Sequence, residues 1–420
     1  MIKQTHVIIG AGPAALSAAA AIRQTGCQDG ITIITKESCA PYSPAALPYL
    51  FDGEMTEQVL FSKGNEALHA LKIEYMNGVE AIALDPQEKM LTLSNGETVE
   101  YGKLLVATGA HPTITAIDGL SADDVHVLRT FGDYLALKDK GKRVAIYGAG
   151  LVAVELAEKL AHTGVKTAVI ARSRLLRKYF NVKLAEQVEK TLSAHGVAVY
   201  SGSPVASVCV GKESTYTIAL ENGTVVEADV FVSAIGVSAN LPFPIIKTEA
   251  GGILATADMR TNLPDVYTAG DVAAPPAFFS GMSEICPILT EALEQGRIAG
   301  LNMAGEKAQY RGSLTANMLR CFDDYLFSVG ITDAAAKGVE VFEKSEPKAS
   351  FRLFVKNDCV VGVEAWNHPE FNAGVFRYLI YEGVPISNAM DAMMKDPGRT
   401  AKWLMAEHRK ARATALISTR

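Results

Sequence analysis

Two short glycine-rich turns constrain this 420-residue chain more than anything else in it. The first lies in HVIIGAGPAALSAAAAIRQTG at 6–26. There an apolar run meets Gly10, Ala11, Gly12, Pro13, Ala14 and Ala15 and continues as an alanine-rich helical pattern to Gly26. The second, KRVAIYGAGLVAVELAEKLAHTG at 142–164, repeats the arrangement with Gly148, Gly150 and Ala153, 138 residues after the first. In such a turn the first glycine permits the sharp reversal, the second lets backbone approach a pyrophosphate, and a small third residue lets helix and strand pack closely. The helix N-terminus then favours the anion through its free N–H groups and its dipole. Two copies point to two dinucleotides on a doubly furnished α/β chain.

Each turn is followed by a second strand. After ITIIT at 31–35 comes Glu37, about 25 residues beyond the first turn and so placed to accept hydrogen bonds from a ribose 2′-hydroxyl. After KTAVIA at 166–171 no acid follows; the chain runs Arg172, Ser173, Arg174, Leu175, Leu176, Arg177, Lys178. Arginines there can accommodate a 2′-phosphate, which points toward NADPH, and a solvated basic loop is the alternative.

Composition excludes several classes. The net charge of −6 argues against a nucleic-acid surface, and 49% apolar residues supply material for more than one buried core. The longest apolar run, 7–22, is interrupted by Gly10, Gly12 and Pro13 and is too short to span a bilayer. No export segment is expected, and a cytoplasmic location follows as an expectation. The six cysteines form no CxxC pair, so isolated thiols, no metal and no closely ligated iron–sulfur cluster are expected.

These turns, with four further segments in order, resemble the FAD-dependent pyridine nucleotide oxidoreductases with two dinucleotide-binding domains. That group includes ferredoxin and rubredoxin reductases and NADH oxidases. YGKLLVATGAHP at 101–112 is similar to the family's strand into Ala-Thr-Gly, which implies Thr108 and Gly109 beside FAD. TNLPDVYTAGDVA at 261–273 resembles its last FAD motif, with Asp271 on the ribityl chain and Gly270 admitting the cofactor. GVEAIALD at 78–85 looks like the adenine-contacting strand, with Ala81 at the contact, and FVSAIGVSAN at 231–240 like the stretch closing the NAD(P) domain around Gly236. Glu155 matches a family glutamate that approaches the nicotinamide, and a helix-surface acid is its other reading.

The resemblance implies two Rossmann-like domains, with an NAD(P) domain at 113–244 inserted in an FAD domain formed by 1–112 and 245–308. A small α+β domain at 309–420 would serve as an interface, giving a homodimer or a hetero-oligomer. Within it, FRLFVKNDCVVGVEAW at 351–366 reads as a hairpin turning at Asn357-Asp358. His368 reads as a loop residue, because the family's histidine–glutamate acid pair is not evident around it. The basic stretch at 396–420, with Arg399, Lys402, Arg409, Lys410, Arg412 and Arg420, reads either as a helical docking tail for an acidic subunit or as a frayed tail.

Relatives that reduce disulfides carry a cysteine against the flavin ring. Aligned on Leu47-Pro48-Tyr49, that position falls on Ala45, while Cys39 sits six residues earlier and reads as an inert thiol. The loop also departs from the ferredoxin reductases, since Pro44 and Tyr49 replace an arginine and a lysine. The implied activity is hydride exchange between NAD(P)H and FAD, with electrons leaving to an external iron–sulfur acceptor. The narrower likeness is to the FAD subunits of NAD-linked 2-oxoacid oxidoreductase complexes of the phenylglyoxylate dehydrogenase type, which favours NAD. The alternatives are an NAD(P)H oxidase and a non-catalytic redox sensor binding both dinucleotides.

Overall fold

The apolar run THVII forms the strand Thr5–Ile9, whose last four residues are buried. It lies inside a five-stranded parallel sheet, flanked by Gly30–Thr35 and Lys103–Val106, with Ile73–Asn77 and Val266–Thr268 at the edges. Strands covered on both faces read as continuous apolar runs, which is why this segment shows no alternation. The computed structural model describes residues 5–211 and 215–418. They divide into two compact units. The first takes the chain up to Lys142, Val208–Tyr216 and Ala228–Ser313; the second takes Arg143–Ser207, Thr217–Glu227 and the chain from Leu314 onward.

In the first unit, the Pro13–Gln24 helix buries Ala14, Ala15, Ala18, Ala19, Ala21 and Ile22. Its small side chains let the Leu289–Met303 helix come very close. A Cβ added to Gly296 would lie 2.2 Å from the Ala14 carbonyl oxygen, and one added to Gly300 2.3 Å from that of Ala18. Ile8, Ile22, Ile31 and Ile33 are fully buried in the same core, each contributing roughly 1.5–3 kcal/mol. This packing fixes the first glycine turn at the carboxyl edge of the sheet.

The second unit holds the parallel strands Arg143–Tyr147, Lys166–Ala171 and Ala198–Ser201 with the helices Leu151–His162 and Val182–Ala194. It also contains a five-stranded antiparallel sheet in the order Ala316–Cys321, Asp324–Gly330, Cys359–Trp366, Ala349–Lys356, Glu340–Glu346. The expected hairpin is present, and Asn357 and Asp358 both take positive φ, 49° and 64°. That is the backbone a two-residue hairpin turn of matching twist demands.

The basic C-terminal stretch forms the helix Pro397–Ser418, which packs on Ala373–Glu382 and Met390–Lys395. Ala401 and Leu404 are buried, Arg412 pairs with Glu382 at 2.5 Å, and Trp403 is 56% exposed. The helical form of the expectation therefore holds through Ser418, and Arg420 lies outside the described residues. No described helix is long and apolar enough to cross a membrane.

Candidate functional site

The two glycines of the first turn serve different purposes. Gly10 has φ of +103°, a backbone that L side chains rarely adopt, and donates its N–H to the Ile34 carbonyl at 2.8 Å. A Cβ there would sit 2.2 Å from the Ala107 carbonyl oxygen. Gly12 has an ordinary extended backbone, and nothing lies within 4 Å of where its Cβ would be. Pro13 occupies the first helical position, where a missing N–H costs nothing, and Ala14 and Ala15 are buried beneath. The open space at Gly12 belongs to a cavity also lined by Thr35, Glu37, Cys39, Tyr42 and Tyr75. Bare backbone at a helix N-terminus, with a carboxylate at the end of the next strand, fits the adenosine and pyrophosphate of FAD.

Glu37 is held in place by a residue the sequence did not single out. The Tyr42 hydroxyl donates to Glu37 Oε2 at 2.7 Å and accepts the Phe131 N–H at 2.7 Å. Burial, then the Glu37 carboxylate, pushes that phenol far up, so it stays a donor. Gly78 and Val79 donate to the Glu37 and Thr35 carbonyls at 3.2 and 3.1 Å, which brings buried Ala81 to this end of the sheet. The Cys39 Sγ lies 4.0 Å from Glu37 Oε2, and burial followed by the Glu37 charge pushes its thiol up to about 11. At neutral pH it is a protonated, weakly nucleophilic thiol. Ala45 is exposed on the short 3-10 turn Pro44–Leu50, anchored by buried Leu47, Pro48 and Leu50.

The remaining residues expected around FAD also fall in the first unit. Gly109 and Gly270 take positive φ, 69° and 85°. Thr108 is engaged with Asn240, its hydroxyl donating to the Asn240 carbonyl at 2.7 Å and its own carbonyl accepting from Asn240 Nδ2 at 2.9 Å. Gly270 donates its N–H to the buried Gln295 Oε1 at 2.9 Å. Asp271 pairs with Arg129 at 2.8 Å, the two side chains 13% and 26% exposed. Nothing in the spacing points to Arg129, which precedes its partner by 142 residues. Gly236, with φ of +132°, belongs to this same unit, where its carbonyl accepts the Thr113 N–H at 2.9 Å.

The second turn repeats the first inside the second unit. Gly148 donates to the Ile170 carbonyl at 2.9 Å, Gly150 caps the Leu151–His162 helix, and Ala153 is fully buried. The basic loop beyond the next strand is an anchored structure. Leu175 and Leu176 are fully buried, and Leu176 donates its N–H to the Ala149 carbonyl at 2.7 Å. Arg174 donates to the loop's own carbonyls, Phe180 at 2.9 Å and Leu175 at 3.3 Å. Arg172, Arg177 and Lys178 are exposed. Glu155 is half-buried, and its carboxyl is pushed up to about 7 by burial and then by Glu158, with Lys159 opposing. Glu158 is itself buried and accepts the Phe322 N–H at 2.8 Å.

One cluster outside these turns combines metal-ligand types. His6 Nε2 lies 3.7 Å from Cys27 Sγ and 3.9 Å from Asp29 Oδ2. Burial holds the His6 imidazole down in pKa, with Asp29 opposing and Lys103 and Arg23 adding to the fall.

Residues 4–302 match the family model of the pyridine nucleotide-disulphide oxidoreductases. The chain belongs to that family. It is an FAD-dependent NAD(P)H oxidoreductase. It is 30% identical over 416 residues to the NADH-dependent phenylglyoxylate dehydrogenase subunit epsilon of Aromatoleum evansii, covering 96% of this chain and 97% of the relative. It is also 30% identical over 316 residues to the rubredoxin-NAD(+) reductase of Acinetobacter baylyi, covering 71% and 78%. The reductase in the covalent putidaredoxin reductase–putidaredoxin complex superposes with a TM-score of 0.83 over 96% of this chain and 98% of its own. At 19% identity that likeness bears on the fold.

Proposed function

We propose that this oxidoreductase exchanges reducing equivalents between a nicotinamide dinucleotide and an external iron–sulfur carrier, as the flavin subunit of a larger complex of the 2-oxoacid oxidoreductase type. The observation that carries the reading is the state of the sulfur in the first unit. Ala45 stands exposed at the position of the family's redox cysteine, and Cys39 is a protonated thiol beside Glu37. Among the described residues, neither Ala45 nor Cys39 offers a second two-electron group, and on this reading electrons leave to another molecule.

Gly10, Gly12, Glu37, Ala81, Thr108, Gly109, Gly270 and Asp271 are the residues that would hold FAD. Gly148, Gly150, Ala153 and Arg172 would hold the nicotinamide dinucleotide, with Glu155 facing the nicotinamide, while Gly236, expected to close that domain, lies in the first unit. FAD supplies a hydride acceptor that can return electrons singly. The protein's part is to orient both dinucleotides and exclude water. Exposed Arg172, Arg177 and Lys178, with no acid among them, support use of NADPH. The NADH-dependent relative supports NADH, and we take both to be accepted.

The likeness to a complex subunit along nearly its full length supports membership of a complex. The helix Pro397–Ser418 adds a second support. Its described side chains include Arg399, Lys402, Arg409, Lys410 and Arg412, with Glu407 as the one described acid. Lys410 is paired with Glu407 and Arg412 with Glu382, and exposed Arg399, Lys402 and Arg409 add a basic surface suited to an acidic partner. The test is NAD(P)H oxidation by the purified chain with a viologen dye and with oxygen. Fast dye reduction with slow oxygen uptake is expected. Oxygen consumption as fast as dye reduction would make the protein an oxidase instead.

A further inference from the structure

The loop after the second strand of the second unit meets the adenosine end of the nicotinamide dinucleotide in the reading above. Its near end is tied to the glycine turn through Leu176 and Ala149. Its far end is tied to the antiparallel sheet. Glu364, on the strand Cys359–Trp366, is 1% exposed. Its Oε1 accepts the Asn181 backbone N–H at 2.5 Å, and its Oε2 accepts from Asn181 Nδ2 at 2.7 Å and from an Arg352 guanidinium nitrogen at 3.2 Å. Asn181 Oδ1 meanwhile caps the Val182–Ala194 helix by accepting the Leu184 N–H at 3.1 Å. Arg174, whose guanidinium holds the loop's carbonyls, reaches the Asn181 carbonyl as well, at 3.4 Å.

This carboxylate is an expensive device for joining two layers. Burial pushes its carboxyl upward, and the bonds from Asn181 and Arg352 oppose that. Apolar residues would join the layers at lower cost, but they would not fix a direction. A buried carboxylate with two bonds to one residue sets the position and rotation of Asn181, and with it the exit of the loop.

We infer that Glu364 is a positioning residue for the nicotinamide dinucleotide, setting the conformation of residues 172–181 from the antiparallel sheet and thereby the affinity for the nucleotide. The inference rests on the second turn being the nucleotide site. It makes the C-terminal part of the chain a component of that site, and it assigns Asn181 two tasks, cap and latch.

Glu364→Gln keeps the size of the side chain but sets an amide N–H against the donors of Asn181 or Arg352. With the FAD-loaded protein and a viologen dye, KM for NADH and for NADPH should rise about tenfold, the loss of one charge-assisted bond. The kcat should stay within about twofold and FAD per chain should not change. Asn181→Ser, which keeps the cap and removes only the Nδ2 bond, should move KM the same way by less. The exchange variant Glu364→Gln with Asn181→Asp reverses donor and acceptor and should recover most of the lost affinity. An unchanged KM in both single variants overturns the inference. So does a joint fall of kcat, FAD content and melting temperature that the exchange does not repair, which marks a purely structural tie. If neither NADH nor NADPH reduces the flavin of the unsubstituted protein, the underlying reading of the site fails, and the inference falls with it.

Discussion

Replacing Gly10 and Gly12 separately by alanine should split folding from cofactor binding, although the two stand only two residues apart. At Gly10 the backbone has φ of +103°, and the new methyl carbon would fall 2.2 Å from the Ala107 carbonyl oxygen. A left-handed non-glycine backbone costs about 1–2 kcal/mol, and overpacking against neighbouring main chain adds about 1–3 kcal/mol. At Gly12 the backbone is ordinary and nothing lies within 4 Å of the added carbon. Two small terms oppose there, a weaker helix cap and a less flexible unfolded chain, and the net should stay within about 1 kcal/mol. The methyl group instead enters the space where a pyrophosphate would approach the backbone, so FAD affinity should fall at least about tenfold, about 1.4 kcal/mol. The assay is FAD per purified chain together with thermal unfolding of flavin-free protein. A domain of this size shifts by about 2–4 °C per kcal/mol, so Gly10→Ala should melt well below Gly12→Ala. The reasoning fails if Gly12→Ala keeps FAD at full affinity, or if the two flavin-free variants melt alike.

Two further predictions concern the second unit. Replacing Arg172 by a neutral residue should weaken NADPH by about tenfold while leaving NADH within about twofold, measured as separate KM values; equal effects would return the loop to a role in solubility alone. Glu155 has its carboxyl pushed from 4.5 to about 7 in the folded chain, so folding favours the protonated form. That stabilisation is complete below the unfolded value and is lost as pH rises through about 7. The melting temperature should therefore decline from pH 5 to 8, and Glu155→Gln should flatten the decline; an unaltered slope in the variant would place the titration elsewhere.

What could be read from the sequence follows its range. The strand, glycine turn and helix at 6–26 and again at 142–164 are local patterns, and Asn357-Asp358 announced its hairpin by turn chemistry alone. The tail at 396–420 left helix and frayed coil open, and burial of Ala401 and Leu404 against neighbouring helices decides for the helix. The long-range pairs were not legible. Arg129 and Asp271 lie 142 residues apart, and Asn181 and Glu364 lie 183 apart. No local periodicity links such partners, because only the packed sheets bring them together. The basic loop shows the same limit. Its charges suggested either a phosphate clamp or a solvated turn, whereas Leu175 and Leu176 are fully buried and Arg174 holds the loop's own backbone.

The central claim is that the bound flavin is the chain's sole redox group and takes its electrons from a nicotinamide dinucleotide. Anaerobic titration of the FAD-loaded, cysteine-alkylated protein with NADH, and separately with NADPH, followed by the flavin absorbance, tests it most directly. The account predicts complete bleaching at one nicotinamide per flavin, with the same endpoint before and after alkylation. An endpoint of two per flavin that falls to one when the protein is first reduced, then alkylated and reoxidised would reveal a redox-active sulfur, and a flavin that neither nucleotide bleaches would contradict the account outright.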